Sequence, residues 1–190
     1  MQILKLHNYE DVIGMIDLLP ILSYEQLLQG IFIYQSHALN QYLPYGSDTR
    51  ETELIIHCEL PQPIPVPIRL KDKHWYAAID QRSIAVSIHL FTGELKYFFE
   101  NYKDYDYLPD EDMAIHKSIS SYMDKAHKQP STKKNCYTRT TGVFLPVPKD
   151  SINNIHYFQK EYADKTFYLQ YDEAAMDEEF LIHLIQDLLV

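Results

Sequence analysis

Chemistry in this chain would have to come from its carboxylates, imidazoles and thiols, so their spacing is tested first. Nine histidines stand among the 190 residues. None is spaced His-x-x-x-His, and none clusters with cysteine in the manner of a zinc site. His57 and Cys58 are neighbours, and neighbours on a strand point to opposite faces, so they do not share a metal easily. Cys58 and Cys136 are too few for a disulfide scaffold. His89 and His183 lie in apolar runs and read as core or boundary histidines. The acidic pairs Asp104/Asp106 and Asp110/Asp112 have the spacing to meet a divalent cation, although solvated turn carboxylates are the commoner outcome. The sharper candidate is His7-Asn8-Tyr9-Glu10-Asp11-Val12. A His four residues before an Asp at a helix start sets both side chains on one face, about one turn apart. Asp11 then stands beside Val12 and Ile16, and a carboxylate against an apolar side needs a partner, for which a divalent metal serves.

Other chemistries close on composition. The five glycines, at 14, 30, 46, 93 and 142, are too scattered for a P-loop, a dinucleotide-binding loop or a Gly-x-Ser-x-Gly elbow. Lys and Arg number 17 against 27 Asp and Glu, a net charge of −10. That balance argues against a dedicated sequence-independent DNA binder but leaves room for a local basic patch. Residues 125–139 are that patch: Lys125, Lys128, Lys133, Lys134 and Arg139, with no acid. Pro130 and the run Ser131-Thr132-Lys133-Lys134-Asn135 predict an irregular surface loop. Lys128, Lys133, Lys134 and Arg139 are the residues expected to touch phosphates. Sixteen tyrosines offer stacking surfaces, with strand packing as their competing role. A chain 46% hydrophobic and 23% charged has the composition of a globular protein. No apolar run approaches the roughly 18 residues of a membrane span, and the first residues lack a signal-peptide core, so no membrane partner and a cytoplasmic location are expected.

The elements that must position these groups read as α+β, a mostly antiparallel sheet flanked by helices. Helices are predicted at roughly 8–19, 111–125 and 174–189, with a short one after Ser23. Residues 31–59 read as a hairpin around Pro44-Tyr45-Gly46-Ser47-Asp48. The Pro-rich stretch 60–68 reads as an extended arm in which Ile64, Val66 and Ile68 alternate. Strands are predicted at 76–79, 84–91 and 95–99, the last two joined at Thr92-Gly93. A strand pair turning at Gly142 and a hairpin over 157–171 follow. Connections this short favour antiparallel pairing, because parallel strands need crossovers of about a dozen residues or more.

His7-Asn8-x-x-Asp11-Val12 followed by an apolar helix resembles the closing motif of DEDD-type 3′–5′ exonucleases with the ribonuclease H-like fold. More specifically, the chain resembles the C-terminal portion of bacterial ribonuclease H-like exonuclease-domain proteins. The run from Leu6 to Leu22 is similar to that family's last nuclease helix. The arm Leu60-Pro61-x-Pro63-x-Pro65-Val66-Pro67 also looks like the family, as do Asn101-Tyr102-Lys103-Asp104-Tyr105-x-Tyr107-Leu108-Pro109, Ala114-Ile115-His116-Lys117-Ser118 and Cys136-Tyr137-Thr138. The likeness covers nearly the whole chain.

The resemblance implies that residues 1–29 are the remnant of a ribonuclease H-like domain, its final helix, and that 30–190 form a C-terminal accessory α+β domain. In such nucleases four carboxylates hold two Mg²⁺ or Mn²⁺ ions. Only Asp11 matches, as the last metal-binding acid, and His7 stands where the family has the residue that orients or deprotonates water. The other three acids would lie upstream, so the chain reads as a fragment or truncated product. It is expected not to cleave nucleic acid alone and to bind no metal tightly. Its expected partners are the upstream nuclease domain and single-stranded nucleic acid. The alternative is a protein-interaction or oligomerisation module with no nucleic-acid role, using the terminal helix or an open sheet edge, which the net negative charge fits better.

Overall fold

A computed structural model of the chain describes residues 2–149 and 156–189. The chain is α+β, every strand pair among the described residues is antiparallel, and it divides into two compact units, Met1–His89 with Ala174–Val190 and Leu90–Glu173.

The first unit opens with helix α1 (Gln2–Leu18), a 3-10 turn Leu19–Ile21 and helix α2 (Leu22–Leu28). Pro20 sits at the start of the turn, where a missing N–H costs nothing. Five strands follow: β1 (Ile33–Tyr42), β2 (Glu51–Glu59), β3 (Ile68–Lys71), β4 (Trp75–Asp80) and β5 (Ser83–His89). Their order is β1-β2-β5-β4-β3, so the predicted 31–59 hairpin forms and β5 pairs on its far side. Period-two alternation buries Leu54, Ile56 and Cys58 of β2, Ile84, Val86 and Ile88 of β5 and Ala77 and Ile79 of β4 on one face. In the Pro-rich arm Leu60 and Ile64 are buried, but Val66 turns outward. Its backbone is held instead by Tyr24, whose hydroxyl donates to Val66 O at 3.0 Å and accepts from Val66 N at 2.9 Å.

The closing helix of this unit is Glu178–Leu189, shorter at its start than predicted, because Asp177 caps it by accepting from Phe180 N at 2.8 Å. Leu181, Leu184 and Ile185 form its buried stripe. Gln186 Nε2 donates to Gly30 O at 3.1 Å. Gly30 has φ +68°, and a Cβ there would lie 2.5 Å from Gln186 Cγ, so glycine is required on both counts.

The second unit holds two three-stranded sheets. The first comprises β6 (Phe91–Phe98), β10 (Tyr137–Val147) and β11 (Phe167–Gln170), in the order β11-β10-β6. The second comprises β7 (Tyr105–Leu108), β8 (Met113–His116) and β9 (Gln129–Pro130), in the order β8-β7-β9. Leu95, Phe144 and Tyr168 make a buried cluster, with Phe91 and Phe158 packed against it.

Three predicted features give way here. The helix expected at 111–125 is a strand, β8, and then four residues of helix α3 (Lys117–Ser120), which makes the closing helix α4. Ala114 alternates inward against β7, while Ser120 donates to Asp106 Oδ2 at 2.5 Å and Ser121 to Ser118 O at 3.0 Å; such serine bonds compete with helix continuation. The turns expected at Thr92-Gly93 and at Gly142 are both strand interior. β6 and β10 run straight past them with Gly93 opposite Gly142, and a Cβ at Gly93 would lie 2.9 Å from the Phe91 ring. The hairpin over 157–171 keeps β11 and a bridge between Phe158 and Tyr168.

Candidate functional site

Helix geometry delivers His7 and Asp11 as their spacing requires. His7 Nδ1 and Asp11 Oδ1 lie 3.9 Å apart on one face of α1, with side chains 76% and 66% exposed. Together they offer one imidazole nitrogen and one carboxylate. A two-metal centre needs several converging carboxylates, and among the described residues no set of three or more His, Cys, Asp or Glu converges to hold an ion. The pair suits one corner of a metal site. Around it Val12, Ile13, Met15, Ile16, Leu18, Leu19, Ile21 and Leu22 are exposed, and α1 has no separate polar and apolar faces.

The basic segment in the second unit is more ordered than predicted. Asp124 caps a 3-10 turn over Lys125–His127, and β9 pairs with β7. Asn135 closes the next turn, accepting from Thr132 N at 2.6 Å and Thr132 Oγ1 at 2.9 Å. Lys133 and Lys134 stand exposed on that turn. Lys128 and Arg139 are engaged within the fold. Lys128 Nζ donates to Ser120 O, while Arg139 donates to Glu111 O at 3.0 Å and pairs with Glu94 at 3.3 Å. Tyr122, in the same stretch of chain, is 92% exposed, an open ring close in sequence to exposed Lys125. His127 pairs with Asp110 at 3.0 Å, and the hydrogen bond to that carboxylate raises its pKa.

Of the acids of 100–112, Glu100, Asp104, Asp110 and Glu111 are exposed, as turn carboxylates are, while Asp106 and Asp112 are drawn into the fold. Asp106 is buried against Ser120, Asp110 meets His127, and Asp112 is a hub. Asp112 takes φ +51° at the turn between β7 and β8, a conformation Asp tolerates better than most residues. Its Oδ1 accepts from Tyr107 at 2.5 Å and from Tyr137, and its Oδ2 lies 3.9 Å from Arg139 Nη1. These bonds hold the carboxyl below its usual range, while Asp112 pushes Tyr107 up and burial and Asp112 push Tyr137 up. With the acid fixed ionised and both phenols fixed protonated, the hub ties β7, β10 and the turn together and moves no proton near neutral pH. No local pattern announced it, because Tyr137 arrives from 25 residues away.

A second network crosses the solvent-side face of the five-stranded sheet. Tyr42 Oη lies 3.1 Å from Glu51 Oε2 and 3.0 Å from His89 Nδ1. The phenol has one proton, so when Glu51 takes it, His89 presents Nδ1–H to the phenol oxygen. Burial and Glu51 raise Tyr42 to about 12. Glu53 accepts from Ser87 at 2.5 Å and Asn40 at 2.7 Å. His89 is thus a boundary histidine with its partner, as its apolar setting suggested. Both thiols, Cys58 and Cys136, are free and buried. Burial pushes Cys58 up to about 11 and raises Cys136 as well.

No described helix is long and apolar enough to cross a membrane. Set beside known proteins, the chain matches no family model, no curated protein and no solved structure, so the geometry above carries the functional reading.

Proposed function

We propose that this chain is the C-terminal accessory part of a ribonuclease H-like 3′–5′ exonuclease, catalytically incomplete by itself, with α1 completing a nuclease domain supplied alongside it. The observation that carries this reading is α1 itself. Large apolar side chains ordinarily find cover, yet Val12, Met15, Ile16 and Leu18 of α1 and Leu19 just after it meet solvent together. Seated in a nuclease domain, that surface is covered, and Asp11 and His7 become one corner of a centre whose remaining acids come from the other domain. Mg²⁺ or Mn²⁺ held there would activate water for phosphodiester hydrolysis. Lys133 and Lys134, with exposed Tyr122, are suited to phosphate contact and base stacking on a single strand.

The test is the purified chain with single-stranded DNA and RNA in Mg²⁺ and in Mn²⁺, beside Asp11→Asn. No cleavage by either protein is expected; metal-dependent degradation that Asp11→Asn abolishes would overturn the incomplete-centre reading. Added in trans, a ribonuclease H-like domain carrying the other three acids should gain activity from the wild-type chain and not from the variant. A protein-interaction module without a nucleic-acid role is the second reading, and the same exposed apolar surface favours it.

A further inference from the structure

The two edges of the five-stranded sheet are built differently. β3 is short, Ile68–Lys71, follows Pro65 and Pro67, and carries Arg69 and Lys71. Arg69 folds back over its own edge, its Nη1 donating to Ile68 O at 2.9 Å and Ile79 O at 3.0 Å. Charge, proline and brevity are the devices that keep an edge from pairing with another chain.

β1 has none of them. It is ten residues long, and no Asp, Glu, Lys or Arg occurs anywhere from Gln26 to Ser47 in a chain that is 23% charged. Among the described residues β1 pairs only with β2, so the backbone groups of its outer side are unclaimed by any ladder. Its one irregularity, the bulge between Tyr34 and Ser36, lies near the start and leaves Ser36–Tyr42 in regular register. Leu39, at the centre of that stretch, is 45% exposed, and Ile33 and Leu43 at its ends are exposed too.

We propose that two copies of this chain associate by antiparallel pairing of their β1 strands, joining the two five-stranded sheets across a two-fold axis with Leu39 opposite Leu39. The strand is complementary to itself in that register. Ser36 meets Tyr42, His37 meets Gln41 and Ala38 meets Asn40, and no pair sets like charges opposite each other. A two-fold axis makes one edge both donor and acceptor of the interface. The strand is already extended and held by β2, so pairing orders little new chain. Glu51 and Glu53, on β2 behind the edge, are bonded to Tyr42, Asn40 and Ser87. Each copy carries −10, so association strengthens with added salt, opposite in sign to phosphate binding.

Sedimentation velocity on the full chain over a concentration series, at low and moderate salt, reads this directly. A dimer favoured by salt is expected, and Leu39→Lys should weaken it about tenfold or more, by opposing two ammonium groups and removing the Leu pair. Because residue 39 is exposed, thermal unfolding should confirm that this variant stays folded. Leu39→Cys should cross-link to its copy under mild oxidation faster than Asp48→Cys on the neighbouring loop; the buried native thiols do not compete. A monomer at every concentration, a dimer indifferent to Leu39→Lys, or cross-linking no faster than the loop control would each overturn the proposal. None of these outcomes bears on the nuclease reading.

Discussion

The helices α1 and α4 belong to one unit and have opposite needs. In α4 the apolar residues fall on one stripe, and Leu181, Leu184 and Ile185 are buried to 1% exposure or less. In α1 apolar and polar residues are interleaved with no single stripe, and Val12, Met15, Ile16 and Leu18 are about half exposed or more. Burial of an apolar stripe is what stabilises most protein helices. The helix with its stripe satisfied contributes to the stability of this chain; the helix without one contributes little. The same division separates the Asp112 hub, closed by its own tyrosines, from Lys133 and Lys134, which point into solvent.

Substitutions can break that contrast. The largest effect is expected for Leu184→Ala, which should lower stability by about 2–5 kcal/mol through lost transfer energy and a cavity. Ile16→Ala should stay within about 0.5 kcal/mol, as exposed positions do. Denaturant unfolding compares the two directly, and equal costs would mean that α1 is packed within this chain in solution.

Asp112→Ala is expected to cost about 1–2 kcal/mol, since two phenol bonds to a charged acceptor are lost while the 44% exposed side chain is screened by solvent. Asp112→Asn should cost less, because Asn keeps acceptor capacity and tolerates the positive φ. The pH dependence follows from the lowered carboxyl. Its stabilisation is fully present above the ordinary Asp range and is lost as pH falls through the lower folded value. Wild type and Asp112→Asn should therefore converge in strong acid.

Lys133→Ala with Lys134→Ala should leave stability within about 0.5 kcal/mol. If the turn meets nucleic acid, the salt slope of binding should fall by about one unit per lost phosphate contact. An unchanged slope removes these lysines from any interface. The smallest effect is a titration. His127 should deprotonate above the ordinary histidine range by NMR, and Asp110→Asn should return it there.

What the sequence revealed depended on how far a signal reaches. The His7–Asp11 pair was legible because helix geometry alone fixes residues four apart. The β1–β2 hairpin and the α4 stripe were legible from periods of two and 3.6. Glu111 to Lys125 was misread because acids first and bases last suit a helix dipole equally well when the intervening Met113-Ala114-Ile115 pairs as a strand. Gly142 looked like a turn because nothing local says that Gly93 lies opposite. Lys128 and Arg139 were correctly placed in a basic segment, but composition does not give direction, and their partners Ser120, Glu94 and Glu111 arrive through tertiary pairing.

The bond between Gln186 and Gly30 spans 156 positions of the chain. The unit it helps close is made from both ends, Met1–His89 and Ala174–Val190, with all of Leu90–Glu173 between them. On a ribosome the order of events is therefore set. The intervening unit is contiguous and is made whole before Leu181, Leu184 and Ile185 are added to the unit that carries Leu54, Ile56 and Ile88. That sheet's unit is thus completed only after the intervening unit has been made, and until then its unprotected β1 edge is displayed without the closing helix of its own unit.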